Sequence, residues 1–269
     1  MMSDTGWRLP SYLAPAIDMH SHPPYDRSQT EPMLEAARRV GIQRIILCGL
    51  GYTDMIEYPS VEEVRRGNQV VYDLIARYPG FIFGLVYVNP NLPETMQILE
   101  EGLRQPGVLG IKLWVSCRDE QGRLEPVFPV LELAAARGVP VLCHAFYRTG
   151  GNLRGELSPN DIAYLAGCFP QTRFVMAHLG GQWVQGVRTI RPYANVWTDL
   201  SGSRAYMGSV EYAVKELGAQ RVLFGTDSFI RNPAVMLSKV AAADLDLAAK
   251  RRIVSDNSAE LFWRGGIGS

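Results

Sequence analysis

The chain of 269 residues contains four histidines: His20, His22, His144 and His178. Imidazole serves both as a transition-metal ligand and as a general acid or base near neutral pH. His20 and His22 flank a single serine in Asp18-Met19-His20-Ser21-His22. Residues two apart on a strand point to the same side, so Asp18, His20 and His22 share a face and the two rings can grip one ion. A carboxylate of the same chemical use, Asp227, lies in Leu223-Phe224-Gly225-Thr226-Asp227-Ser228. Histidine and carboxylate donors together suit Zn2+, Mn2+, Fe2+ or Co2+.

Each of these residues stands at the end of a short apolar run, and such runs recur along the chain. Eight are found, over residues 16–22, 44–50, 81–88, 109–114, 139–146, 173–179, 196–201 and 221–228. Most are rich in Val, Ile, Leu and Phe at both parities, as strands buried on both faces of a parallel sheet should be. Helical patterns fall between them: residues 30–41 opening on Thr30-Glu31-Pro32, then 60–78, 93–104 and 126–137 with Gly138 as stop. Ser158-Pro159-Asn160-Asp161 reads as an N-cap with proline at the first helical position. Further helices are predicted over 204–217, from Asn232-Pro233 onward, and from Asn257 through Trp263. Strand and helix alternating eight times imply parallel strands with right-handed crossovers. A doubly wound open sheet competes, but count and length match a single (β/α)8 TIM barrel with extra C-terminal helices. One domain over 1–269 is expected, with barrel strands from about 16 to 228. The Pro/Gly-rich stretch 149–159 is expected to be a loop over the barrel mouth.

In such a barrel the active site lies at the C-terminal ends of the strands. His20 and His22 end strand one, His144 strand five, His178 strand six and Asp227 strand eight. Strand ends make up roughly a tenth of a barrel, so four histidines all there by chance is on the order of one in ten thousand. Lys+Arg and Asp+Glu are both 27, which gives no reason to expect nucleic acid or a membrane surface as partner. The N-terminus has no apolar signal-peptide region, and the four cysteines have no paired spacing. Reduced thiols and a cytoplasmic location are the expectation.

Asp18-Met19-His20-Ser21-His22, His144, His178 and Asp227 on successive strands resemble the amidohydrolase superfamily of metal-dependent barrels. The branch often called amidohydrolase 2, related to aminocarboxymuconate-semialdehyde decarboxylase, is the most similar. Gly110-Ile111-Lys112-Leu113, His178-Leu179-Gly180-Gly181 and Phe224-Gly225-Thr226-Asp227 extend the likeness from Ile17 to the 257–262 helix. The resemblance implies one divalent metal, Zn2+ first and Mn2+, Fe2+ or Co2+ as alternatives, held by His20, His22, His144 and Asp227. Asp227 would double as general base, and His178 would orient the water or stabilise an oxyanion. In two-metal members His144 and His178 hold a second ion with a bridging strand-four lysine, which Lys112 could supply. In single-metal relatives that lysine can instead meet a substrate carboxylate. Asp18 would lie deeper and fix a neighbouring imidazole. Barrels of this branch are often dimers, which makes a homodimer the expectation.

Loops after the strands carry Arg118, Arg148, Arg154, Arg204 and Arg231, with Tyr52, Trp114, Tyr147 and Trp183 as aromatic neighbours. Converging guanidinium groups favour a small anionic substrate, with Arg148, Arg204, Trp114 and Tyr147 as its chosen contacts. Asp199 ends strand seven, where it either caps the next helix or bonds across the mouth. The first reading of the reaction is hydrolysis of a lactone, ester or amide of a small carboxylate-bearing molecule by metal-activated water. The alternative is a non-oxidative decarboxylase of a small aromatic or unsaturated acid, and the ligands alone do not separate the two.

Overall fold

A computed structural model describes residues 10, 13, 15–202 and 204–263. The strands are β1 (Ala16–Ser21), β2 (Ile42–Leu47), β3 (Ile82–Tyr87), β4 (Val108–Leu113), β5 (Pro140–Cys143), β6 (Arg173–Met176), β7 (Val196–Asp199) and β8 (Val222–Leu223). They form one parallel sheet in sequence order. Met19 N donates to the Phe224 carbonyl (3.1 Å) and Asp227 N to the His20 carbonyl (2.7 Å), and a parallel bridge joins Ser21 to Ser228. The residues just beyond β8 thus bring the sheet back onto β1. The architecture is a (β/α)8 TIM barrel.

The helices are α1 (Thr30–Arg39), α2 (Val61–Arg77), α3 (Thr95–Gly102), α4 (Phe128–Arg137), α5 (Pro159–Cys168), α6 (Trp183–Ile190), α7 (Ser209–Leu217), α8 (Pro233–Ala242), α9 (Leu247–Arg251) and α10 (Asn257–Phe262). Local chemistry sets their ends. Ser60 and Ser158 each close a capping box, with Glu63 and Asp161, and Gly138 ends α4 in a left-handed conformation that glycine adopts at little cost. Two differences from the sequence reading stand out. α6 escaped it, being only eight residues long with Gly186 inside. α7 starts at Ser209 rather than at Arg204, because Gly208 turns the chain at φ +82° immediately before it. No helix among the described residues is long and apolar enough to cross a membrane.

Two apolar cores result. The larger lies between strands and helices. The smaller fills the barrel with Met19, Ile46, Cys48, Leu85, Leu142, Val175, Ala177 and Leu223. Leu261 and Phe262 of α10, with Trp263, join Phe83, Leu109 and Trp197 from the strand beginnings. The C-terminal helix therefore plugs the bottom of the barrel, and His20, His22, His144, His178 and Asp227 lie at the opposite end, where the strands finish.

Candidate metal centre

The strand ladders stop before most of the polar residues that the sequence places at their ends. β1 ends at Ser21, β5 at Cys143, β6 at Met176 and β8 at Leu223, so His22, His144, His178 and Asp227 sit on the turns beyond. His178 (φ 61°), Leu179 (φ 53°) and Asp227 (φ 60°) are the non-glycine residues with positive φ among those described. Such conformations cost free energy and persist where the surroundings hold them, commonly at functional sites. Gly202 lets the backbone approach two of these residues closely. It has φ +61°, and a Cβ there would lie 2.4 Å from His178 Nδ1 and 2.8 Å from Asp227 Oδ2.

His20 is fully buried. Its Nδ1 bonds Asp199 Oδ2 at 2.8 Å, and its Nε2 faces Lys112 Nζ at 3.1 Å. With Nδ1–H given to the carboxylate, Nε2 keeps its lone pair and turns it into the barrel. His22 repeats the arrangement: Nδ1 lies 2.8 Å from the Cys48 carbonyl and Nε2 is 3.2 Å from Asp227 Oδ1. A carboxylate or carbonyl behind one ring nitrogen, with the other aimed at a shared point, is how metal-ligating histidines are held. His20, His178 and Asp227 each offer a donor atom, all within 4.8 Å of one another, and His20, His22 and Cys48 do the same. The chemistry of this donor set fits a divalent cation.

His144 stands apart from both groupings. Its Nε2 bonds Glu156 Oε1 at 2.7 Å, and its Nδ1 faces His178 Nε2 at 3.1 Å. Glu156 was not singled out from the sequence. It lies in the polar loop 149–159, its side chain is wholly buried, and it also binds the Arg148 guanidinium, through Nε at 2.7 Å and Nη2 at 2.6 Å.

Protonation follows from burial and neighbours. Burial pushes His20 down to about 3, helped by Lys112 and opposed by Asp199. Burial also lowers His144, to about 4, against its bond to Glu156. Burial resists the charge on Glu156, but the bonds from His144 and Arg148 prevail and hold it at about 2. Asp227 and Asp199 likewise overcome burial and sit well below the usual carboxylate range, Asp227 chiefly through His22 and Asp199 through His20. Burial opposes the imidazolium of His22 too, yet Cys48 and Asp227 raise it to about 10. His22 and Asp227 are thus a charged pair that holds a proton between them.

Several residues take places other than those the sequence suggests. The alternation expected to set Asp18 beside the imidazoles is broken by a register shift between Asp18 and Ser21. Asp18 instead accepts from Ser21 Oγ, Thr226 Oγ1 (both 2.6 Å) and Thr226 N (2.9 Å), pinning β1 to the chain after β8. Burial lifts its carboxyl to about 6 against those bonds. The imidazole-fixing role belongs to Asp199, which bonds across the mouth. Trp114 packs against the outer core and does not border the cavity beside the cluster. Arg118 pairs with Asp161 at 2.6 Å, and Tyr52 lies under Arg66 and Arg27.

That cavity has a volume of about 780 Å³ and is bordered by Phe146, Tyr147, Trp183, Arg148, Arg204 and Arg231, among others. Phe146 stacks on His144 and lies against His178, and Gly202 borders both the cavity and Asp227. Arg148 is bound by Glu156, whereas Arg204 and Arg231 make no ion pair among the described residues. Tyr147 keeps its hydroxyl on Thr189 Oγ1 at 3.2 Å.

No curated protein matches the sequence. Among solved structures, the 5-carboxyvanillate decarboxylase LigW from Sphingomonas paucimobilis superposes with a TM-score of 0.72 at 15% identity, covering 93% of this chain and 99% of that one. 2,6-Dihydroxybenzoate decarboxylase from Rhizobium gives 0.72 at 16% identity, with 93% and 98% covered. A 5-carboxyvanillate decarboxylase from Novosphingobium aromaticivorans, complexed with manganese and 4-hydroxy-3-methoxy-5-nitrobenzoic acid, gives 0.70 at 16%, with 95% and 98% covered. At this identity the likeness is one of fold. The amidohydrolase family model matches residues 17–264, nearly the whole chain, and the protein belongs to the amidohydrolase family.

Proposed function

We propose that this protein is a metal-dependent, non-oxidative decarboxylase of a small hydroxylated aromatic or unsaturated acid. Hydrolysis, the first reading of the sequence, gives way to it. The observation that carries the proposal is Asp227: an ionised carboxylate, 3.2 Å from His22, beside a cavity with aromatic walls and two arginines without ion-pair partners among the described residues. The manganese and nitrobenzoic acid held by a protein of the same fold support the same choice.

His20, His22 and Asp227 would hold one divalent metal, and the His144–His178 pair would supply the remaining protein donor. Bound there, a divalent metal would supply positive charge to steady negative charge developing on a substrate oxygen. His22 and Asp227 would both have to be unprotonated to hold the metal. Arg204 and Arg231 take the anionic groups of the substrate, and Phe146 and Trp183 flank its ring. Asp227 accepts the proton of a substrate hydroxyl and returns it to the ring carbon that bears the carboxylate. The C–C bond then breaks, its electron pair rejoins the ring, and CO2 leaves. The net consumption of one proton balances the loss of the carboxylate. Lys112 is buried with its Nζ 3.1 Å from His20 Nε2, beside the site, where a substrate carboxylate can meet it.

The test is a substrate panel that holds 2,6-dihydroxybenzoate and 5-carboxyvanillate alongside aryl lactones, esters and amides, assayed with Mn2+ and with Zn2+. CO2 release from an aromatic acid, without acid release from the others, is the expected result. Acid release without CO2 would return the protein to the hydrolases.

A further inference from the structure

The loop that crosses the mouth does more than cover it. Its carboxylate, Glu156, reaches inward and takes one nitrogen of a site histidine. Ala145 and Leu157 form a parallel bridge, Phe146 N donates to the Leu157 carbonyl at 2.9 Å, and Cys117 N donates to the Gly155 carbonyl at 3.0 Å. A Cβ on Gly155 would lie 1.9 Å from the Val115 carbonyl oxygen, so the backbone is seated tightly there. Leu153 N and Arg148 bind the carboxylate from the loop side, at 3.2 Å and 2.6–3.0 Å. Glu156 is thereby fixed before it meets His144.

A carboxylate only accepts, so His144 must donate from Nε2. A neutral imidazole has one donor and one acceptor, which leaves the lone pair on Nδ1. Nδ1 is the nitrogen that faces His178 Nε2 at 3.1 Å. We infer that Glu156, seated by Arg148, is a positioning residue that locks His144 as the Nε2–H tautomer and presents Nδ1 to the metal-binding cluster. The chain Arg148–Glu156–His144–His178 makes the loop a structural part of the site. The inference rests on the proposed metal site for its effect on metal binding, but not for the tautomer.

The experiment uses the full chain labelled with ¹⁵N. With only four histidines, the ring-nitrogen spectrum is assigned by comparison with His144→Ala. In metal-free wild-type protein the His144 Nδ1 resonance is expected at the position of an unprotonated nitrogen and Nε2 at that of a protonated one. Glu156→Ala should move both toward the average of exchanging tautomers, whereas Glu156→Gln, whose side-chain oxygen still accepts, should restore the wild-type pattern. Titration of the same proteins with Mn2+ should show Glu156→Ala binding roughly 10–100-fold more weakly, as loss of a ligand-orienting partner usually does. An unchanged His144 tautomer in Glu156→Ala would overturn the inference, even if that variant melted at a lower temperature. A shifted tautomer with undiminished Mn2+ affinity would overturn the link to the cluster. Absence of Mn2+ binding by the wild type would count against the metal site itself, and the tautomer result would still decide the role of Glu156.

Discussion

Replacing His20 with alanine is expected to remove metal and activity together. His20 is wholly buried, with Asp199 on one nitrogen and the other turned toward the cluster. Charge stabilisation by a bound metal is worth several kcal/mol, so turnover should fall by at least about 10³-fold. The variant also leaves Asp199 short of a partner, a loss on the order of 1–3 kcal/mol for a buried group. A drop in melting temperature is therefore part of the expected result. Metal content by mass spectrometry separates the two effects: a folded His20→Ala protein should carry almost none. Full metal content in that variant would remove His20 from the ligand set.

Asp227→Asn is the second large effect, and its pattern differs. The amide keeps the shape and one oxygen toward the cluster, but it cannot carry a proton between substrate oxygen and carbon. Proton transfer by a positioned side chain contributes about 10²–10⁴-fold, and a loss of that order in kcat is expected. Metal content should fall less than kcat does. Asp227 lies against Gly202 and is held at φ 60° by its place after β8, so the asparagine, which tolerates that backbone, should fold normally. A variant that turned over at the wild-type rate would take the proton-carrying role away from Asp227.

The barrel was legible in the sequence because its signal is redundant. Eight apolar runs each announce a strand, and errors at their ends cancel in the count. The gathering of the histidines at the strand ends was legible because His20, His22, His144 and His178 are the chain's four histidines, and Asp227 was legible from its place at the end of the last strand. The supporting acids were not. Asp199 at a strand end reads equally as the cap of the next helix, and only the fold shows that it crosses the mouth to His20. Glu156 sits among Gly, Asn and Arg in a loop whose composition says nothing of its wholly buried side chain. Asp18 shows the opposite failure. Its spacing from His20 promised a shared face, and a register shift in β1 sent the carboxylate to Thr226. Arg148 looked like a free cation for a substrate because its partner was the unrecognised Glu156.

Calorimetric titration of chelator-stripped protein with Mn2+ bears most directly on the proposed metal centre. One equivalent per chain is expected, with His20→Ala showing no binding heat. A second equivalent abolished by Lys112→Ala would mean a lysine-bridged pair of ions instead of one. No binding of Mn2+ or of Zn2+ by folded wild-type protein would contradict the metal centre outright.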